Sequence, residues 1–233
     1  MKQKIIMTLL IILILILLAS CLNPFLPVYE KTETEEDGVC AIIDGVKYKE
    51  LPEIKWFINV SERIIGFAGD KNTLVYEGFN DPDKNFVILQ HFFSDHFDSM
   101  LYRTDKIIPE PSADVVDKIM WDDHIMGSDQ KNSEEHTYTT EDKDVIKELF
   151  EVLENGNKTS NYNLIRKGSK TIIMSIGCYS SKLPGAYYVL NIGISNGKIV
   201  CGDSYEKEYV EIPIDLLEKL AGKKIDISEF TEE

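Results

Sequence analysis

The chain has 233 residues, 25 of them Lys or Arg and 40 Asp or Glu, for a net charge of −15. A surface this acidic repels a phosphate backbone, which excludes nucleic acid as a partner class. The length is enough for one large domain or two small ones with a substantial core.

Lys2 and Lys4 precede an apolar run from Ile5 to Ala19 that is broken only by Thr8. A basic start, an apolar centre and small residues before a cut site make a secretory signal. The run is short for a transmembrane helix, which needs roughly 20 apolar residues. Leu18-Ala19-Ser20-Cys21 resembles the lipobox of bacterial lipoproteins. That resemblance implies a thioether-linked diacylglyceride on Cys21, cleavage before it, and a mature chain held on the extracytoplasmic face of the cell membrane. It covers the signal, residues 1–20, and nothing of the ectodomain. The alternative is an uncleaved N-terminal anchor, which gives no reason for Cys21 or for the Ala-Ser before it. The signal holds two lysines and no acid, so the rest of the chain carries −17. Anionic headgroups repel that charge, and the lipid must do the anchoring.

Residues 21–38 read as the lipidated Cys and an acidic tether. Pro24 and Pro27 resist helix, and Glu30 to Asp37 has no apolar residue to bury, so the segment is expected to stay solvated. From Val39 the pattern changes. Val39 to Ile43, Asp44-Gly45 and Val46 to Lys49 predict a hairpin, because Asp-Gly supplies the positive φ of a type I′ turn. Strands are then expected over 62–68, 73–79, 86–91 and 98–103, joined by polar turns at 69–72 and 80–85. Short links join antiparallel neighbours, so these runs predict a meander.

Residues 112–120 fit a short helix capped by Ser112, and 114–121 fit a strand equally well. A polar loop is expected over 127–137. A helix comes next over 142–154, with Thr139 or Thr140 as cap, and with Val145, Ile146, Leu149, Phe150 and Leu153 on one face. Gly156 suits a left-handed C-terminal position. The period then returns to two in 171–179 and 186–194, with further runs at 198–201 and 208–212. Ile214 to Leu220 predicts a short closing helix ended by Gly222. The expected fold class is α+β: one ectodomain over 39–233 of antiparallel meanders, with the main amphipathic helix packed on a sheet.

Patterns for chemistry fail their geometric checks. His91 and His96 are five apart, where a helical metal site needs four and a Glu beside the first. Asp81-Pro82-Asp83-Lys84-Asn85 begins like a calcium loop, but Phe86 stands where Gly is needed and Phe92 where a bidentate Glu is needed. Asp122, Asp123 and His124 are adjacent, so neighbouring acids point to opposite faces of a strand. Ser128, Ser133, Ser180 and Ser181 lie in no nucleophile motif. Gly-rich phosphate loops are lacking, and no cofactor or metal is expected. Cys40, Cys178 and Cys201 are treated as small apolar residues, and Cys178 and Cys201 are expected to be free.

One pattern points to binding. If Ile176 and Leu190 face the core, Tyr179, Tyr187 and Asn191 share the opposite face of two neighbouring strands. They could stack a sugar or a partner's side chain, unless a second layer such as the Val145 helix covers them. The expected function is a non-catalytic surface lipoprotein that binds a protein or a cell-wall ligand. Two alternatives stand beside it. One is a hydrolase assembled from His91, His96, Asp122 and His124; the other is a sensor or immunity-type protein that takes a basic partner.

Overall fold

The computed structural model describes residues 26–34, 38–51, 53–122, 137–158, 166–167, 170–171, 174–195, 198–203 and 208–225. Cys21, the signal and His124 lie outside them, as does all of the loop expected over 127–137 except Thr137. The elements are β1 (Val28–Thr34), β2 (Gly38–Ile43), β3 (Val46–Lys49), β4 (Trp56–Ile58), β5 (Val60–Ala68), β6 (Thr73–Gly78), β7 (Phe86–His91) and β8 (Ser99–Arg103). After them come β9 (Lys118–Asp122), β10 (Thr137–Thr140), α1 (Lys143–Asn155), β11 (Arg166–Lys167), β12 (Lys170–Thr171) and β13 (Met174–Tyr179). The chain closes with β14 (Ala186–Ser195), β15 (Lys198–Asp203), β16 (Tyr209–Glu211) and α2 (Ile214–Ala221). Among the described residues no helix is long and apolar enough to cross a membrane.

The α+β expectation is overturned. The chain is mainly β, and its first half closes into a barrel of order β1-β2-β3-β8-β7-β6-β5. Closure is made by β1 running parallel to β5, with Val28 opposite Phe67 and Tyr29 opposite Ala68. Local pattern does not reveal this pairing, because its partners are 39 positions apart. The tether reading of 21–38 changes with it, since Val28–Thr34 is a barrel strand. Its polar composition hid the strand: Tyr29 and Lys31 are half-buried, while Val28, Glu30 and Thr32 are exposed. The Tyr29 ring lies over Gly66, where a Cβ would clash with it and stand 2.8 Å from the Pro27 carbonyl oxygen. That glycine lets β1 dock.

The second sheet runs β10-β9-β13-β14-β15-β16, with β4 paired to the first part of β14. Its pairs are all antiparallel, as the alternation of 174–179 and 186–194 requires. The ambiguous stretch at 112–120 divides: the backbone N–H groups of Val115 and Val116 donate to the Ser112 carbonyl in a turn, and the strand starts at Lys118.

The helices α1 and α2 cover one face of this sheet. Leu149, Leu216 and Leu220 share a core with Trp121, Ile176, Leu190 and Ile192. The cap of α1 is Asp142, whose Oδ1 accepts from the Asp144 N–H at 2.9 Å, while Thr140 Oγ1 accepts from the Asp142 N–H at 3.2 Å. Gly156 is extended, at φ −70°, and not left-handed as expected. Its lack of a side chain serves close approach instead, since a Cβ would lie 3.1 Å from Val210 Cβ. Gly222 does take the left-handed conformation after α2, at φ 65°.

β7 joins the two halves. Phe86 and Ile88 face the large core under the helices, and Val87 and Leu89 face the barrel interior. All four are buried, so the strand reads as an unbroken apolar run. Tyr102 hydroxyl donates to the Trp56 carbonyl at 2.6 Å, and the Asn59 N–H donates to the Gly185 carbonyl at 2.8 Å. Asp81 closes the turn before β7. Its Oδ1 accepts from Asn85 Nδ2 at 2.8 Å and its Oδ2 from the Phe86 N–H at 2.9 Å. The calcium-like stretch is therefore a turn held by its own carboxylate.

Candidate functional site

Period-two alternation sends neighbours on each strand of the second sheet to opposite faces. Trp56 and Ile58 are buried with the helices, so Phe57 turns the other way. Tyr188 and Leu190 are buried, so Tyr187 and Asn191 turn with it; Ile176 and Cys178 do the same for Tyr179. Register then aligns them. Phe57 is opposite Tyr187, Tyr187 opposite Tyr179, and Tyr179 opposite Lys118. Four strands thus contribute one row: Phe57, Tyr187, Tyr179, Lys118.

The rings in this row lie close to parallel. Phe57 and Tyr187 have centroids 5.7 Å apart and planes at 25°; Tyr187 and Tyr179 are 5.8 Å apart at 23°. Lys118 Nζ stands 5.0 Å from the centre of the Tyr179 ring, within cation–π range. Gly177 lies beneath that ring, where a Cβ would come 2.9 Å from Tyr179 Cε2. A side chain at 177 would lift the tyrosine, so the glycine lets it lie low over the sheet. Every member of the row is half-buried. Partial burial raises the Tyr187 hydroxyl pKa above its usual value, which keeps it a neutral donor and acceptor.

The next polar position on this face belongs to Asn191. Its Oδ1 accepts from Ser175 Oγ at 2.8 Å, which fixes the amide beside the aromatic row. Helices α1 and α2 lie on the far side of the sheet and do not cover these residues. Sequence reasoning had Tyr179, Tyr187 and Asn191 but missed Phe57 and Lys118. Phe57 sits on a three-residue strand too short to show a period, and Lys118 lies in the stretch that fitted helix or strand alike.

A second feature lies on the helix side. A groove of about 880 Å³ runs between α1 and the 111–117 segment. On its floor the Tyr188 hydroxyl donates to Asp203 Oδ2 at 2.9 Å, and Lys55 Nζ stands 3.8 Å from the same oxygen. Burial, then the Asp203 charge, pushes the Tyr188 pKa far up, so this phenol stays protonated. Cys201 also lines the groove, and burial pushes its thiol up to about 12. Burial likewise raises Cys178. Neither thiol is a thiolate at neutral pH, so neither is an activated nucleophile. Both are free and buried, and Cys40 is buried too.

The remaining candidates are not brought together. His91 ends β7 and His96 lies in the β7–β8 loop of the barrel, where His96 Nε2 stands 3.2 Å from Asp95. Asp122 is on β9 in the other sheet. Ser180 is buried and donates to the Val115 carbonyl at 2.6 Å, and the Ser181 N–H donates to Asp117 at 2.7 Å, so both brace a turn. Among the described residues no group of three His, Cys, Asp or Glu is placed to hold a metal ion. Comparison with family models, with curated proteins and with solved structures finds no match.

Proposed function

We propose that this chain is a lipid-anchored, extracytoplasmic binding module that holds its ligand on the aromatic face of the second sheet. The observation that carries the reading is the row Phe57, Tyr187, Tyr179, Lys118, set across four strands on the side away from the helices. Near-parallel rings and a fixed amide are what a sugar ring or an extended chain needs: apolar faces to stack on and polar groups to set orientation. A strand-built platform also holds these groups without further ordering on binding, which keeps the entropic cost low. Cell-wall glycan is the ligand class that fits both this surface and an anchor at Cys21.

The test is co-sedimentation of the purified chain with peptidoglycan sacculi, alongside titration with soluble N-acetylglucosamine oligomers. Tyr179→Ala combined with Tyr187→Ala should abolish retention and leave the thermal melt close to wild type, because neither ring belongs to a core. Equal retention by the double variant would sink the assignment. Anchoring is tested separately: Cys21→Ala should lose fatty-acid label and release the protein from membranes, since two acyl chains suffice for stable attachment.

A further inference from the structure

The β7–β8 loop carries three exposed aromatic residues within six positions. Phe92 is 43% exposed, Phe93 84% and Phe97 45%. Phe92 and Phe93 pack edge to face, with centroids 5.2 Å apart, so they form one apolar knob and not two separate side chains. The loop is built firmly. The Phe92 N–H donates to the Asn72 carbonyl at 2.6 Å, Gln90 Nε2 to the Ser94 carbonyl at 2.9 Å, and the His91 N–H to the Asp98 carboxylate. A braced loop that holds phenylalanine rings in water gains by burying them elsewhere.

We infer that this loop dips into the membrane interface and gives the anchored protein a second, oriented contact with the bilayer. The inference rests on the reading of Cys21 as the lipid site. Cys21 and Val28 are seven positions apart, a span of at most about 24 Å when extended. Val28 is opposite Phe67, Phe67 opposite Leu74, and Leu74 opposite Gln90. Three strand spacings, about 14 Å, therefore separate the point where the tether joins the barrel from the base of the loop. The knob lies within reach of any bilayer that holds Cys21.

The other end of the barrel is met in part by the second sheet. Gly185 of the second sheet's β13–β14 turn sits there against Phe79 and Asp81. The loop end differs in carrying two exposed rings packed on each other, Phe92 and Phe93. A short tether also raises the local concentration of lipid to about the millimolar range, so even a weak aromatic contact stays engaged. The loop's charges have local partners: Asp95 with His96, Asp98 with the His91 N–H, and Asp70 of the adjoining turn with the Asn72 N–H at 3.0 Å. Lys71 of the adjoining turn is exposed beside these acids, so this end carries both signs around its Phe rings, which suits a zwitterionic surface.

The experiment uses the full lipidated chain on phosphatidylcholine vesicles with brominated acyl chains. Trp56 and Trp121, the two native tryptophans, are fully buried and give a constant background. Phe93→Trp places a reporter in the knob. Ile107→Trp places a control at an equally exposed site on the opposite end of the barrel, where Lys106 pairs with Asp83 at 3.6 Å. Flotation with the vesicles, together with a blue shift and loss of emission for the residue-93 variant and neither for the residue-107 variant, supports the contact. Flotation with no quenching at 93, or with equal quenching at both sites, overturns it. Residue-93 emission quenched by aqueous iodide but not by the lipid would leave the knob to a soluble partner and also overturns it. Failure to float would remove the anchor reading and this inference with it.

Discussion

The barrel and the second sheet solve the same burial problem in opposite ways. The barrel closes on itself, and its interior is narrow: Ala41, Ile43, Ala68, Val75, Val87, Leu89 and Leu101, with Tyr48 as the one large ring. Seven strands leave little room inside, so small aliphatic side chains fill it. The second sheet stays open. Its core holds Trp56, Trp121 and Phe86, and it needs two helices to cover one face. The aromatic row stands on the other face, away from the helices, where its members are half-buried. The difference teaches where a binding surface can arise in this molecule: an open sheet has a flat face away from its helices, and a closed small barrel does not.

The sharpest way to break the comparison is at the strand the two cores share. Phe86→Ala should cost about 3–5 kcal/mol by the lost transfer energy and the cavity left behind. Because β7 faces both cores, hydrogen exchange should rise in the barrel and in the sheet together. Faster exchange confined to the second sheet would show that the cores are energetically separate. Leu149→Ala comes next, at about 2–4 kcal/mol, since the side chain is fully buried on α1. A melt that moves no more than a surface control would mean that the helix is not needed to cover the sheet.

Closure of the barrel is tested at Gly66. Gly66→Ala forces its Cβ into the Tyr29 ring and should cost about 1–3 kcal/mol as overpacking. The amides of Val28–Thr34 should lose protection first, while those of β13 and β14 keep theirs; uniform loss would place the parallel seam outside the weak part of the fold.

The smallest effect is at Tyr48. Its hydroxyl donates to the Lys84 carbonyl at 2.8 Å, and burial pushes its pKa up to about 12. A raised folded-state value means that the neutral form favours folding. This contribution is complete below pH 10 and is lost as pH rises towards 12. Tyr48→Phe should lower stability at neutral pH by about 1 kcal/mol, the net value of one hydrogen bond. It should also flatten the alkaline fall measured by urea unfolding. An unchanged alkaline slope would assign that fall to other groups, Tyr188 foremost.

Much of the site is readable from the sequence. Alternation in 174–179 and 186–194 sets Tyr179, Tyr187 and Asn191 on one face, because a strand turns each successive side chain over. Phe57 and Lys118 join them only through register, and register between β4 and β14, or β9 and β13, depends on chain segments more than 50 positions apart. A three-residue strand carries no period to announce itself.

Local signals in the sequence determined the helix at Lys143–Asn155, the Asp-Gly hairpin, the strands of both meanders and the turns between them. These features rest on contacts between near neighbours, which short windows contain. Tertiary structure alone decided that Val28–Thr34, charged and half-exposed, would be a strand. It decided that this strand would meet β5 in parallel and close a barrel, and so that an α+β outline would become a mainly β molecule. Edge pairing of this kind is held by main-chain hydrogen bonds and a glycine at residue 66, and neither leaves a hydrophobic pattern to read.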